Sequence, residues 1–146
     1  MRKYLLFFII LLATCYPARA QYLRSKKETI DLINSILKLR EETRLYGPEP
    51  GKVNYLILSQ QLSDDSFKQL LQTTDKKQLT TLVTKIKWEA FSAFGYNDNR
   101  SELYLYFDKK IIVNNIPAEV FSFYVPDSKV NVVKDAVFRL VDIAKE

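Results

Sequence analysis

The sequence predicts an α+β domain: an N-terminal helix, then an antiparallel sheet or half-open barrel, then a C-terminal amphipathic helix packed on the sheet. Three observations carry this. A capping motif opens an apolar-striped helix at Ser25, strand-like segments separated by turn residues fill the middle, and a second striped helix closes the chain. Strands grouped between flanking helices, rather than alternating with them, favour an antiparallel sheet over βαβ units.

The first helix has a defined start. In "SKKE", Ser25 stands at the N-cap and Glu28 three residues on, a pair that reciprocally satisfies two backbone N–H groups of the first turn. Ile30, Ile33 and Leu37 recur at helical spacing, and Leu32 and Ile36 widen the stripe. Arg40 and Arg44 suit the negative end of the helix dipole, and Gly47 and Pro48 stop it. The pattern predicts a helix from Lys26 to Tyr46.

"VNYLILS" reads as a strand of β-branched and large apolar residues. "LSDDSFKQLLQ" predicts a short helix, with Ser63 as cap, Asp64 and Asp65 in its first turn, and Phe67, Leu70 and Leu71 buried. From Gln78 to Phe94 two periods compete. Leu79, Leu82, Val83, Ile86, Ala90 and Phe94 fit a helix. Leu82, Thr84, Ile86, Trp88 and Ala90, alternating against Val83, Lys85, Lys87 and Glu89, fit a half-exposed strand. The threonine and β-branched content favours the strand.

"GYNDNRS" predicts a hairpin turn, since Gly, Asn and Asp tolerate left-handed backbone. In the strand "ELYLYF" that follows, Leu103, Leu105 and Phe107 share one face, and Tyr104 and Tyr106 the other. Asp108-Lys109-Lys110 predicts a tight reversal into "IIVNNI". After Pro117, Phe121, Phe123 and Val125 of "EVFSFYV" share a side. From Asp127 or Ser128 as cap, Val130, Val133, Val137, Leu140 and Ala144 recur in steps of three and four. Valine is a poor helix former, so packing must hold this last helix against the sheet.

The N-terminus follows the order of an export signal. Arg2 and Lys3 precede an apolar run from Leu5 to Ala13, roughly 14 Å long as a helix. A bilayer span takes about 20 apolar residues, so the run suits a cleavable signal. Ala18-Arg19-Ala20 offers small residues at a cut that would leave Gln21 first, dividing the chain into a signal at 1–20 and one domain at 21–146. Leu12-Ala13-Thr14-Cys15 offers the alternative of a lipoprotein signal acylated at Cys15, although Thr14 departs from the small residue usual there. The protein is thus expected to be secreted or periplasmic, or else membrane-anchored through Cys15.

Cleavage after Ala20 removes the only cysteine, and the chain has no histidine. Disulfides, imidazole-based triads, thiolate nucleophiles and His/Cys zinc sites then fall away. The three glycines form no phosphate-cradling loop. Without Arg2, Lys3 and Arg19 the balance falls from 22 basic against 17 acidic to 19 against 17, too even for a nucleic-acid stripe. The pairs Lys26-Lys27, Lys76-Lys77 and Lys109-Lys110 sit at a helix start and at turns. "NDNRSE" has oxygen donors, but Arg100 falls where a calcium ligand should be. Asp64-Asp65, the only adjacent Asp pair, suits a helix start better than glycoside hydrolysis. No cofactor and no metal is expected.

Tyrosines are the remaining positive feature. On an open face, Tyr104 and Tyr106 form a platform with Lys85, Lys87 or other side chains of a neighbouring strand, a surface suited to a partner because tyrosine joins a large apolar body to a polar tip. Alternatively these tyrosines lie under the first helix or ladder across strands. The expected function is an exported non-enzymatic interaction module. A carrier of small apolar ligands or lipid, and a carboxylate-dependent hydrolase, are the alternatives.

The meander with its closing amphipathic helix resembles a pleckstrin-homology-type half-barrel. The phrases "SKKETIDLIN" and "VVKDAVFRLVDIAKE" also resemble small exported proteins of Bacteroidetes-type bacteria. The resemblance spans most of the domain as an order of elements and implies that fold, with no site residue attached.

Overall fold

The computed structural model describes residues 25–41, 44–45 and 55–146. The export signal, its alternative at Cys15 and the Gly47-Pro48 stop lie outside them. Helix α1 spans Lys26–Leu37 and opens as expected: the Ser25 hydroxyl accepts from the Glu28 N–H, and Glu28 accepts from the Ser25 N–H at 2.8 Å. It ends earlier than its pattern suggests. A 3₁₀ turn, Lys38–Arg40, tightens its end, and Arg44–Leu45 forms strand β1 against the edge of β2 (Tyr55–Leu62). The apolar stripe stops at Leu37, because Leu39 is exposed, so burial no longer rewards helix beyond that point.

The expected helix at Ser63–Gln72 is a strand. β3, Phe67–Thr73, pairs antiparallel with β2 through a turn at 63–66, closed by the Ser63 N–H donating to the Ser66 carbonyl. Phe67, Gln69 and Leu71 are buried while Lys68 is exposed, a period of two that the neighbouring Leu70 conceals. Asp64 and Asp65 therefore cap no helix. Their carbonyls accept from Trp88 Nε1 and the Ile86 N–H, and the Asp64 carboxylate lies 2.6 Å from Lys26 Nζ.

The stretch from Gln78 to Asn97 is strand, as the β-branched content suggests, but it is broken and its phase changes. β4 is Gln78–Thr84 and β5 is Phe91–Asn97, with a 3₁₀ turn at Trp88–Ala90 between. In β4 Val83 is buried and Leu82 is 44% exposed, opposite to the expected facing. Lys85 then adopts φ 60°, and the next inward residues are Ile86 and Trp88. A single left-handed residue shifts the alternation by one position.

β6 is Glu102–Val113 and β7 is Ile116–Tyr124. The reversal expected at Asp108–Lys110 is instead an irregularity within β6: Tyr106 pairs with Val120 and Ile111 with Ala118, so extra β6 residues bulge between them. The reversal falls at Asn114-Asn115, both left-handed with φ 49° and 67°, closing a two-residue hairpin. After a 3₁₀ turn at Asp127–Lys129, helix α2 covers Val130–Lys145 and buries Val130, Val133, Val137 and Leu140.

Among the described residues seven strands form one antiparallel sheet in the order β1-β2-β3-β4-β6-β5, with β7 on the other side of β6. β6 pairs β7 along its length, so β4 and β5 lie end to end on its opposite edge. The sheet curls on itself. Phe67 of β3 lies 5.5 Å from both Phe121 and Phe123 of β7, which is no neighbour of β3 in the sheet. Phe107 stacks on Phe121 at 5.9 Å, and α1 and α2 complete the same core through Ile33, Leu37, Val133 and Leu140. This is the α+β arrangement expected, with the C-terminal helix on an open antiparallel sheet.

Side-chain amides finish the sheet where backbone pairing ends. Asn34 of α1 donates to the Leu62 carbonyl at 2.8 Å and accepts from its N–H at 2.7 Å. Gln60 of β2 does the same for Tyr124 of β7, at 3.1 and 2.8 Å. Asn114 accepts from the Leu82 N–H through its side chain and donates its own N–H to the Leu82 carbonyl. A primary amide carries the same donor and acceptor as a peptide, so each stands in for a missing strand.

Candidate functional site

The outer face of β5, β6 and β7 has two parts of different character. At one end Glu102 is a polar hub, only 8% exposed. Its carboxylate accepts from the Tyr104 hydroxyl at 2.7 Å and the Ser122 hydroxyl at 2.6 Å, and Arg100 lies at 3.8 Å. Burial, then the hydrogen bond to Glu102, pushes the Tyr104 phenol up to about 12; burial and the Glu102 charge do the same for Tyr124. Tyr104 is therefore committed to holding a buried carboxylate.

Tyr106 is not so committed. It is 41% exposed, and its ring leans over Gly95 on β5: a Cβ added to Gly95 would stand 3.1 Å from Tyr106 Cε2. The absence of a side chain at Gly95 gives the ring its seat. Tyr106 pairs with the exposed Ala93 on β5 and the half-buried Val120 on β7. The result is a small apolar platform tipped by a phenol, next to the end of the sheet.

The expected partners of the tyrosines lie elsewhere. Lys85 and Lys87 are both exposed, but they belong to the linker between β4 and β5, which is tied through Ile86 and Trp88 to the β2–β3 turn. α1 packs against α2 and β2 and does not cover Tyr106.

The opposite side of β5 carries a feature that sequence reasoning missed. Phe94 lies 4.7 Å from Phe91 and 5.2 Å, edge-on, from Phe138 of α2, while Phe138 is 51% exposed. Lys134 Nζ stands 5.8 Å from the Phe94 ring centroid. The signal was present as Lys134 and Phe138 at i, i+4 on a helix whose buried stripe runs through Val133, Val137 and Leu140, leaving a large apolar residue off the stripe.

At the far end of β5 the strand is fastened. The Tyr96 hydroxyl donates to the Asp127 carboxylate at 2.5 Å, and the Ser101 hydroxyl donates to the same oxygen at 2.7 Å. These hydrogen bonds hold the Asp127 carboxyl below the usual range, and burial followed by the same contact raises Tyr96 to about 12. Asn97 to Glu102 is a hairpin turn, and Glu102 is engaged by hydroxyls. Among the described residues no group of three His, Cys, Asp or Glu is placed to hold a metal ion, and no helix is long and apolar enough to cross a membrane. The chain matches no protein-family model, no curated protein and no solved structure.

Proposed function

We propose that this protein is an exported, non-enzymatic interaction module that meets its partner through the Tyr106 side of the β5–β6 hairpin. The observation that supports this is Tyr106 itself: a half-exposed aromatic seated on a glycine, with a free hydroxyl tip, on a strand pair whose other side is rigid core. Aromatic residues of this kind anchor interfaces at little cost in side-chain order. Export rests on the leader sequence and on a domain free of cysteine and histidine from Gln21 onward. A carrier of small apolar ligands would have to displace the phenylalanine rings that fill the interior.

Affinity capture from the native cell envelope tests the reading. Tyr106→Ala should lose the partners that the wild-type protein retains, with an unchanged unfolding midpoint. Partners retained in full by Tyr106→Ala would remove this surface from the proposal. The intact mass of the protein from its host tests export separately: a chain beginning at Gln21 fits a soluble exported domain, and an acylated Cys15 fits a tethered one.

A further inference from the structure

We infer that the free edge of β5 takes an extended peptide segment of a partner protein as an added strand, one with alternating apolar residues and an acidic side chain. The inference rests on the interaction-module reading and names the kind of partner.

An open strand edge presents unpaired N–H and C=O groups, and proteins ordinarily blunt such edges with charge, proline, short length or covering groups. Among the described residues each other edge is blunted. β1 is two residues long, and Asn34 takes the backbone groups of Leu62 at the end of β2. β7 carries Pro117 and Glu119, and Gln60 occupies Tyr124. β4 is closed at Leu82 by Asn114 and begins beside the Lys76-Lys77 turn.

β5, "FSAFGYN", has neither charge nor proline. Among the described residues its only strand partner is β6, and Ser92 and Ala93 are exposed. Its bulge is confined to the start; from Ala93 to Asn97 the register with β6 is continuous. Five residues span about 17 Å, enough for a short added strand.

Both sides of this edge are apolar. Tyr106 stands above Ala93 and Gly95, and Phe94 with the half-exposed Phe138 stands on the helix side. A strand laid against β5 would alternate its side chains between these two lips, the arrangement by which main-chain pairing supplies affinity and alternate pockets supply selectivity. Lys134 sets the charge. It contacts the Phe94 face and forms no ion pair among the described residues, so an acidic group on the incoming strand would compensate it. A second copy paired β5 to β5 would instead bring two Lys134 ammonium groups to one junction.

Selection of random dodecapeptides displayed on phage against the full protein tests this. Enriched peptides should alternate apolar residues, include an acid and exclude central proline. They should slow amide hydrogen exchange in Ala93–Asn97. Ala93→Lys, which adds a charge to the edge, and Phe138→Ser should each weaken the enriched peptide roughly tenfold or more, and Lys134→Glu should reverse the preference for an acid. No enrichment, or enriched peptides that leave β5 exchange unchanged, would overturn the inference; so would protection of β5 by concentration-dependent dimerisation alone. Loss of envelope partners in Tyr106→Ala without β5 protection would retain the interaction module and remove the added strand.

Discussion

Gln60 binds Tyr124 as though it were the next strand. Its Oε1 accepts from the Tyr124 N–H at 2.8 Å and its Nε2 donates to the Tyr124 carbonyl at 3.1 Å, while Gln69 donates to the same Oε1 at 3.0 Å. Both glutamines are buried. The contact joins β2 to β7, the two parts of the curled sheet that backbone pairing leaves apart. Beside it Ile57 and Leu71 pack on the Tyr124 ring as a small second core.

Replacing Gln60 with leucine should therefore cost more than one ordinary hydrogen bond. It leaves the Tyr124 peptide and the Gln69 amide unpaired in a buried site, at about 1–3 kcal/mol for each group stranded. We expect Gln60→Leu to lower the urea midpoint markedly. A change of under about 0.5 kcal/mol, the scale of a surface substitution, would mean that the amide does not hold the seam.

Lys85 tests the phase change. A non-glycine residue at positive φ carries a cost of about 1 kcal/mol, which glycine avoids. Lys85→Gly should be neutral to stabilising by a few tenths of a kcal/mol, once the greater freedom of the unfolded chain is counted. Lys85→Val should destabilise clearly, because β-branching opposes the left-handed region. Equal stability of the two variants would contradict the break at this residue. Trp88, the single tryptophan, buried against Phe107 at 6.2 Å, makes fluorescence a direct readout.

These two residues also mark what the sequence alone could reveal. The helix stripes, the "GYNDNRS" hairpin and the Leu103/Leu105/Phe107 face are local, and they hold in the structure except at Ala144, which is exposed at the end of its stripe. The errors arise where tertiary partners decide. Phe67–Leu71 is strand because β2 and β4 flank it, and Leu82 faces out because Val83 is held beside Val113. The turn lies within "IIVNNI", at Asn114-Asn115, and not at Asp108-Lys109-Lys110, where the Lys110–Glu119 pair at 2.6 Å places that charge across two strands. For the candidate surface, alternation exposed Tyr106 to view. Phe138 and the bareness of the β5 edge became visible only once the sheet order was known.

Asp127 gives stability a pH dependence at both ends. Its folded carboxyl titrates below the unfolded value of about 3.9, so its contribution is complete above that value and is lost as pH falls through the folded one. Tyr96 is raised from 10.0 to about 12, so its contribution is complete below pH 10 and disappears between 10 and 12. Asp127→Asn should flatten the acid arm of the stability profile and shallow the alkaline arm. The alkaline arm should survive in part, since Tyr104 and Tyr124 near Glu102 are raised as well. Denaturant midpoints from pH 3 to 11 decide this. Parallel profiles for the two proteins would remove Asp127 from the account.

Tyr104 and Tyr106 should separate stability from recognition, although they lie two residues apart on one face. Tyr104→Phe removes a donor from the 8% exposed Glu102 and should cost about 1–2 kcal/mol. Gly95→Ala acts on Tyr106 instead, since the added methyl meets Cε2 at 3.1 Å and Oη at 3.4 Å. The atoms met are the far end of a half-exposed ring, which can swing aside, and alanine is better than glycine in a strand interior. Gly95→Ala should thus hold or slightly raise the unfolding midpoint while shifting the Tyr106 ring resonances and reducing capture of envelope partners. Undiminished capture by Gly95→Ala, with the ring shown to have moved, would mean that the seated position of Tyr106 is not what a partner recognises.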